Sequence, residues 1–318
     1  MLRWGLLGAS RIGKKLVPAM RGAGDEPLAV AARDLERAQA YARDLGIPHA
    51  YGGYEALLAD PDLDAVYVAL PGDAHTPLTL AALAAGKHVL CEKPLALNAG
   101  EVARMRGAQE RSGKVVLEAF SYRFHPQIAR AAELIREGAL GEVRLARASF
   151  GFVLNRPEDF RWRPDKGGGA LYDVGCYCVN SLRLLLGREP VRAAAFQREK
   201  GGVDVDFAGL LDFGEGLSGS FDCSFAAQYH QSLGVVGERG ILTFDYPYSN
   251  NGQAVTLRLN DEVQTFAPTD PYQLMVEHFG KAVRGEEELR FGLEDAGAQA
   301  RALDALFSSA REGRMVRV

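Results

Sequence analysis

The sequence has few of the residues from which disulfide frameworks and metal sites are built. Its 318 residues include four cysteines and six histidines. Cys91, Cys176, Cys178 and Cys223 form no CxxC pair and no zinc-type cluster with histidine. We therefore interpret the cysteines as small buried apolar residues, and we expect neither a disulfide nor a metal site.

The sequence also lacks an excess of charge of either sign. Lys and Arg number 37 and Asp and Glu number 41, which gives a net charge of -4. Because no global positive field results, nucleic acid and anionic membranes are not expected partners. An anionic ligand has to be bound by a local group of residues.

Long hydrophobic runs are absent as well. No apolar run reaches the roughly 20 residues that cross a bilayer, and the N-terminal segment MLRWGLLGAS lacks the basic and apolar regions of a signal peptide. We therefore expect a cytoplasmic protein. The length suits two domains, and 47% hydrophobic with 25% charged residues is typical of soluble globular chains.

Strand and helix patterns alternate along the first third of the chain. Apolar runs without in/out alternation predict a parallel sheet covered by helices on both faces. The predicted strands are 2–8, 27–33, 65–71, 87–94 and 114–120. The predicted helices begin after Gly8 and at about residues 35, 54, 76 and 99. Residues 1–120 are therefore predicted to be a doubly wound, dinucleotide-binding Rossmann domain, with its crevice at the carboxyl ends of the strands.

The first predicted strand ends in the sequence GLLGASRIG. Gly8, Ser10 and Gly13 occupy the positions of G-x-G-x-x-G, with Ser10 in place of the middle glycine. This loop, which includes Arg11 and Ile12, is a candidate for holding a pyrophosphate at a helix N-terminus. A tight strand-to-helix turn also favours glycine, so the motif alone is weak evidence for a pyrophosphate site.

Two arginines follow the second predicted strand. Arg33 stands at the strand end in AARD, and Arg37 lies one helical turn later. Two guanidinium groups suit the 2′-phosphate of NADP, whereas Asp34 suits a ribose hydroxyl of NAD. We predict NADP, with NAD as the alternative cofactor. The structural alternative is that both arginines are solvated charges on a helix.

The stretch VLCEKPLA, residues 89–96, places charges at the end of a buried strand. Lys93 emerges there beside the predicted crevice, and Pro94 restricts its backbone. A cis Lys93–Pro94 bond is compatible with the sequence. Glu92 is predicted to pair with a ribose hydroxyl or with Lys93. The plain alternative is a Lys-Pro pair that only terminates the strand.

The pattern changes after Phe120. A helix is predicted over 126–137, and half-buried strands over 143–152, 191–199, 205–213, 218–225, 240–246 and 254–260. This predicts an α+β domain over 121–318 with an open, mainly antiparallel sheet. Because the face without helices must meet either water or a partner, we expect a homodimer or higher homo-oligomer through this sheet.

One segment of this second part carries chemistry. In RWRPDKGGGALYDVGCYCVNSLRLLLG, residues 161–187, three glycines precede a predicted helix. Asp173 and Tyr177 are four residues apart, which places them on one face of that helix. Gly175 between them lets another group approach the backbone closely.

Together, GASRIG, AARD, CEKP and GGGALYDVGCYC resemble the NAD(P)-dependent oxidoreductases named for glucose-fructose oxidoreductase, inositol dehydrogenase and MocA. The resemblance runs from the first strand to the C-terminal helix, and its E-K-P motif is far more specific than the glycine fingerprint. Within this family the chain looks most like dimeric dihydrodiol dehydrogenases and NADP-linked aldose dehydrogenases.

The resemblance implies catalytic roles for three residues. The E-K-P lysine, here Lys93, is catalytic in the family, and the helix with Asp173 and Tyr177 faces the nicotinamide. We predict Tyr177 as the acid/base, because a nearby ammonium lowers a phenol pKa from about 10. Lys93 is the predicted tuner of that pKa and donor to the substrate oxygen, and Asp173 orients the substrate or Lys93.

The resemblance also implies cofactor and substrate contacts. His75 follows the strand end at Leu70 and Pro71, near the cofactor, unless it only begins a helix. Trp162 and Arg163 match positions that contact cofactor or substrate in the family, with Trp162 beside the nicotinamide and Arg163 at the pyrophosphate, unless they only anchor their loop. The predicted substrate contacts are Lys93, Arg123, Asp173 and Tyr177.

The sequence therefore predicts an NADP-dependent oxidoreductase that transfers hydride between nicotinamide and a sugar or related vicinal diol. The alternatives are trans-dihydrodiol dehydrogenase activity and a catalytically silent regulator that binds NAD(P). Lys93, Asp173 and Tyr177 together argue against the regulator, because binding alone needs no acid/base pair.

Overall fold

Two β-sheets, one of six strands and one of nine, organise the described residues, 1–250 and 252–318, of the computed structural model. Residues 1–121 and 270–297 form one compact unit, and residues 122–269 and 298–318 form another. The division of the chain into domains 1–120 and 121–318 stays a prediction.

The sheet of the first unit is parallel and has the strand order β3-β2-β1-β4-β5-β6. Its strands are β1 (Arg3–Leu7), β2 (Glu26–Ala31), β3 (His49–Tyr51), β4 (Ala65–Val68), β5 (His88–Cys91) and β6 (Val116–Glu118). Its helices are α1 (Gly13–Gly22), α2 (Leu35–Leu45), α3 (Tyr54–Leu58), α4 (His75–Ala84), α5 (Ala99–Ser112) and α8 (Pro271–Val283). The predicted parallel sheet is confirmed. The prediction omitted β3, because three residues that are not fully buried leave no apolar run.

Capping residues determine where the helices of this unit begin and end. The side chain of Asp34 accepts the N–H of Glu36 at the start of α2, and Gly46 ends that helix with φ +61°. Asn98 caps α5 in the same way, accepting an N–H of its first turn. These signals are local, so the sequence predicted both helices.

Helix α8 lies far along the chain but packs within the first unit against α1. The ring of Phe279 lies 5.1 Å from that of the fully buried Trp4 on β1. The indole N–H of Trp4 donates to Asp25 at 3.0 Å. A returning segment therefore covers part of the β1 core.

The second unit is built on the nine-stranded sheet, in the order β14-β13-β12-β11-β7-β10-β9-β8-β15. Its strands are β7 (Val143–Gly151), β8 (Arg192–Lys200), β9 (Val203–Asp212), β10 (Ser218–Ser224), β11 (His230–Gly237), β12 (Ile241–Phe244), β13 (Val255–Leu259), β14 (Glu262–Phe266) and β15 (Val316–Arg317). The β7–β10 pair is parallel and the other pairs are antiparallel, which confirms the mainly antiparallel prediction. The prediction omitted β11, β14 and β15.

Helices of the second unit pack on the sheet. They are α6 (Pro126–Arg136), α7 (Cys176–Leu186) and α9 (Leu293–Glu312), whose first residues belong to the first unit. Helix α7 packs on β7 and β10, and α6 packs on β13. Strand residues alternate between buried and accessible positions, as in Ala146, Arg147 and Ala148 of β7. One face of the sheet therefore supplies the core.

The four cysteines lie in these cores as separate thiols. Burial raises the pKa of Cys91, Cys178 and Cys223 well above its ordinary value. Their interpretation as buried apolar residues is confirmed. Over residues 1–250 and 252–318, no helix combines the length and apolarity needed to span a bilayer.

Candidate active site

The loop between β1 and α1 has little room for side chains. Gly8 has φ +114°, and a Cβ there would lie 2.8 Å from the carbonyl oxygen of Ala69. A Cβ on Gly13 would lie 2.4 Å from the hydroxyl oxygen of Tyr41, which donates to the Ser10 carbonyl at 2.7 Å. Gly8 is therefore favoured by a positive φ and a close backbone approach, and Gly13 leaves room for the hydroxyl of Tyr41.

Ser10, in place of the middle glycine, has a capping role. Its Oγ accepts the N–H of Gly13 at 3.1 Å. Ile12 follows as the half-buried N-cap of α1, and Arg11 is exposed. The loop thus brings backbone and the exposed Arg11 to the start of α1, where anions bind favourably.

Arg33, just after β2, and Arg37, in the first turn of α2, both lie near Tyr54. Both side chains are exposed, and both guanidinium charges act to lower the pKa of Tyr54, although burial raises it overall. Arg37 Nη2 donates to the carbonyl of Ala9 at 3.0 Å. Because Ala9 belongs to the β1–α1 loop, Arg37 connects the two parts of the predicted cofactor site. Asp34, the residue that would suit the ribose hydroxyl of NAD, caps the start of α2 with its side chain.

The His75 side chain contacts the backbone just after strands β4 and β5. The buried ring lies 2.8 Å from the carbonyl oxygen of Leu70 through Nε2 and 2.8 Å from that of Pro94 through Nδ1. Burial lowers the pKa of His75, and the charge of Lys93 acts in the same direction. A neutral ring donates to one of these carbonyls at a time. Pro71 follows Leu70 and begins a short 3-10 turn.

The E-K-P segment follows β5 directly. The Lys93–Pro94 peptide bond is cis, and Lys93 is half-buried. The carboxylate of Glu92 accepts the hydroxyl of Tyr67 at 2.5 Å and the N–H of Lys93 at 3.3 Å. Burial, together with the charge of Glu92, raises the pKa of the half-buried Tyr272 to about 12. Glu92 therefore has structural partners, and its predicted contact with a ribose hydroxyl stays a prediction.

In the second unit, Asp173 is held by an arginine that the sequence analysis missed. Arg161 Nε lies 2.6 Å from Asp173 Oδ2, and Arg161 Nη1 lies 3.2 Å from Asp159 Oδ1. Burial alone lowers the pKa of Arg161, but the two carboxylates outweigh it and raise that pKa. Arg161 lies in a short 3-10 turn, Phe160–Trp162, twelve residues before Asp173, so no local pattern indicates the pair.

The segment with Asp173 and Tyr177 is not a single α-helix. Residues Leu171–Gly175 form a π turn, and α7 begins at Cys176. The prediction of one continuous helix is therefore corrected. A π turn holds an extra residue compared with an α turn, which rotates Asp173 relative to Tyr177. Their predicted placement on one face stays a prediction.

Tyr177 lies in a cluster of aromatic rings. Its ring centroid is 5.8 Å from Tyr122, 5.7 Å from Phe150 and 5.6 Å from Tyr248. Tyr229 contacts Phe150 edge-on and is 47% exposed. The half-buried phenol thus has apolar ring neighbours and remains partly accessible.

Trp162 and Arg163 have contacts within their own surroundings. Trp162 lies edge-on to Phe225 at 5.9 Å, and Lys200 Nζ lies 6.0 Å from its ring centroid. The exposed guanidinium of Arg163 donates to both carboxylate oxygens of Asp165. These contacts fit the loop-anchor alternative, and the cofactor contacts of both residues stay predictions.

Arg123 is 4% exposed and belongs to a buried polar network. Its Nε donates to Asn180 Oδ1 at 2.7 Å, and the hydroxyl of Tyr122 donates to the same oxygen at 2.6 Å. Asn180 in turn donates to Gln299 at 3.2 Å, and so does Arg183 at 2.9 Å. The network fixes α7 to neighbouring elements, and substrate binding by Arg123 stays a prediction.

Comparisons with known proteins agree with these features. The family model described as "Oxidoreductase family, NAD-binding Rossmann fold" matches residues 2–120, and the model "GFO/IDH/MocA C-terminal domain" matches residues 128–243. The chain is 39% identical to "D-xylose 1-dehydrogenase (NADP(+)) 2" of Haloferax volcanii, with 99% of both chains covered. It is 38% identical to trans-1,2-dihydrobenzene-1,2-diol dehydrogenase of Mus musculus, over 76% of this chain and 73% of that protein.

A solved structure agrees over the whole chain. The aldose-aldose oxidoreductase from Caulobacter crescentus superposes with a TM-score of 0.91 at 28% identity, covering 100% of this chain and 99% of that one. The parallel dinucleotide-binding sheet, the E-K-P segment and the glycine-rich turn before α7 occur here together with these similarities. The chain belongs to the GFO/IDH/MocA family of NAD(P)-dependent oxidoreductases.

Proposed function

We propose that this protein is an NADP-dependent oxidoreductase that transfers hydride between nicotinamide and a carbinol of a sugar or related vicinal diol. The names of the Haloferax volcanii and mouse relatives support this substrate class. The pyranose form of xylose and the dihydrobenzene diol are both six-membered rings with adjacent hydroxyl groups. A small ring with vicinal hydroxyls is therefore the proposed substrate.

The aromatic cluster around Tyr177 is the observation that carries this proposal. Its phenol, a group able to exchange a hydroxyl proton, lies among the rings of Tyr122, Phe150 and Tyr248. Aromatic faces bind the C–H face of a small ring, while a few polar groups orient its hydroxyls. The Arg161–Asp173 pair supplies a fixed carboxylate nearby in the sequence.

The first unit has residues that suit NADP. The absence of a side chain on Gly8 leaves backbone accessible beside the start of α1, and Arg33 and Arg37 present exposed guanidinium groups. Bound NADP⁺ supplies the hydride acceptor. We propose further cofactor contacts by His75, Glu92, Trp162 and Arg163. Use of a soluble dinucleotide also supports the proposal of a cytoplasmic enzyme.

Three side chains have proposed catalytic roles. Tyr177 accepts the hydroxyl proton during oxidation and returns it during reduction. The Lys93 ammonium favours the phenolate form of Tyr177 and donates to the substrate oxygen. Asp173, held by Arg161, orients a substrate hydroxyl. Arg123 is proposed to support substrate binding through Asn180.

The test is a panel of aldoses and cyclic diols, assayed in both directions at the NADPH absorbance band. Activity with ring-shaped vicinal diols, and loss of that activity in Lys93→Met and Tyr177→Phe, is the expected result. Tight NADPH binding without turnover of any panel member would instead identify a dinucleotide-binding regulator.

We further propose that the open face of the second sheet binds a second copy of the chain. Phe196 and Leu210 are 72% and 59% exposed, and the register of β8 with β9 places them on the same face. Ile241 and Val263 are also exposed, at 50% and 48%. Light scattering should give twice the monomer mass, and Phe196→Glu with Leu210→Glu should give monomers; a wild-type monomer at micromolar concentration contradicts the proposal.

A further inference from the structure

The turn that precedes the π turn and α7 is capped from a distant strand. Ala170, at the N-cap position, supplies no side-chain hydrogen bond. Asp204 on β9 does so instead, because its Oδ2 accepts the N–H of Leu171 at 2.6 Å and its carboxylate also accepts the N–H of Ala170. Asp204 is 4% exposed. A buried carboxylate therefore meets the positive end of the helical segment that carries Asp173 and Tyr177.

The glycines of this turn fit around that carboxylate. Gly169 has φ +116°, and a Cβ there would lie 2.0 Å from Asp204 Oδ1. A Cβ on Gly168 would lie 2.5 Å from the carbonyl oxygen of Arg161. The turn is thus enclosed by Asp204 on one side and by the Arg161 backbone on the other. This packing explains why glycine occupies both positions.

The same turn is bonded to both partners of the Arg161–Asp173 ion pair. Gly169 N–H donates to the carbonyl of Arg161 at 3.1 Å, and the Gly169 carbonyl accepts the N–H of Asp173 at 3.2 Å. A displacement of Gly169 therefore changes the geometry of the ion pair directly. Asp204 is the carboxylate in contact with that glycine.

We propose that Asp204 is a positioning residue: its carboxylate fixes the turn Gly168–Leu171 and thereby holds Asp173 and Tyr177 for the reaction. This inference rests on the proposed function, since it assigns a contribution to the rate of that reaction. Asp204 acts through the backbone of the turn and not on the substrate. Errors of about 1 Å in such positioning cost up to ~100-fold in rate.

The surroundings of Asp204 give the positioning a dependence on pH. Burial raises the pKa of Asp204 to about 7. Hydrogen bonds from the N–H groups of Leu171, Ala170 and Asp204 itself favour the ionised form and act in the opposite direction, but they do not outweigh burial. Glu199, its register partner on β8, adds a like charge, and the protonated thiol of Cys223 faces it from β10. Protonation below pH ~7 removes the negative charge from the helix start. Activity should therefore fall on the acid side.

The experiment combines kinetics with amide hydrogen exchange in the full-length protein. Asp204→Ala should lower kcat by ~10- to 100-fold at saturating NADP, and should increase exchange at Gly169–Asp173. Asp204→Asn keeps an acceptor oxygen for Leu171, so it should retain more activity but lose the acid limb of the pH profile. Asp206→Asn, on the same strand but bonded to Arg198 and Ser224, is the matched control and should keep that limb.

Two results would overturn the inference. One is an Asp204→Asn enzyme whose pH profile and turn exchange equal those of the wild type. The other is increased amide exchange throughout the second unit in both Asp204→Ala and Asp204→Asn, which would indicate a general loss of stability. If Asp204→Ala does not fold, the comparison of Asp204→Asn with Asp206→Asn still tests the positioning role of Asp204. An inactive wild type refutes the proposed function, whereas an active wild type with unaffected Asp204 variants refutes only the positioning role.

Discussion

Arg161 and Asp173 form an ion pair in which Nε lies 2.6 Å from Oδ2, with side chains only 23% and 11% exposed. The same guanidinium contacts Asp159, whose side chain is 3% exposed. One cation therefore neutralises two largely buried carboxylates. Its removal takes the 2.6 Å ion pair from Asp173, whereas Asp159 keeps an ion pair with Arg156 at 3.2 Å.

Arg161→Met should destabilise the protein by about 2 kcal/mol and lower kcat, because Asp173 loses both its charge partner and its orientation. Urea unfolding and steady-state kinetics measure the two effects. Arg188→Met is the control, since that exposed arginine contacts Glu215 at the surface. Its effect on stability should stay below about 1 kcal/mol. Equal effects of the two substitutions would contradict the special role of Arg161.

Lys93→Met and Tyr177→Phe should each lower kcat at least ~100-fold, because each removes a group from the proposed proton transfer. The double variant should lose little more than either single one if both act on the same step. Tyr172→Phe is the matched control, because Tyr172 packs on Phe307 at 4.9 Å. Near-normal turnover in Lys93→Met or Tyr177→Phe would remove that residue from the mechanism.

Arg33→Met and Arg37→Met should each weaken NADPH binding by ~10-fold or more and leave NADH binding nearly unchanged. The reason is that charged hydrogen bonds to a phosphate contribute about 1.5–3 kcal/mol. Dissociation constants from fluorescence titration measure this. Arg43→Met, an exposed arginine in the last turn of α2, is the control. A wild type that prefers NADH tenfold would overturn the assignment.

The pKa of Asp204 predicts a specific dependence of stability on pH. Burial raises this pKa from 3.8 to about 7, so the folded protein keeps a proton that the unfolded chain releases between these values. The contribution of Asp204 to stability is therefore full below pH ~4 and is lost as the pH rises to about 7. Asp204→Asn removes this dependence. Relative to the wild type, the unfolding free energy of Asp204→Asn should therefore rise by about 3 kcal/mol between about pH 5 and pH 8.

Urea unfolding of both proteins at each pH provides the measurement. Asp206→Asn serves as the comparison, because Asp206 is only partly buried. A constant difference between Asp204→Asn and the wild type at all pH values would show that Asp204 has an ordinary pKa.

Most of what the sequence revealed depends on neighbours along the chain. The strand–helix alternation, the Gly46 cap of α2 and the placement of Lys93 after β5 were predicted because each depends on a few consecutive residues. Membership in the family followed from motifs of the same kind. The short strand β3 was omitted because it is defined by its pairing with β2 rather than by its own composition.

The remaining features of the site depend on contacts between distant residues. Arg161 and Asp204 reach the glycine turn from positions before and after it in the chain, and neither belongs to the motifs GASRIG, AARD, CEKP and GGGALYDVGCYC. Arg123 was predicted as a substrate contact, but its buried bond to Asn180 becomes visible only in the folded chain. The π turn before α7 has no distinct residue pattern either.

The parallel pairing of β7 with β10 has a consequence for how this fold diversifies. Residues 152–191 leave the sheet after β7 and return to it at β8, carrying Arg161, the glycine turn, Asp173 and Tyr177; β9 and β10 then lead back to the strand beside β7. Both ends of this excursion are anchored in one sheet. The exposed part before Arg161 can therefore change in length or composition without shifting the register of either strand. New substrate preferences can arise there while the residues proposed for proton transfer keep their framework.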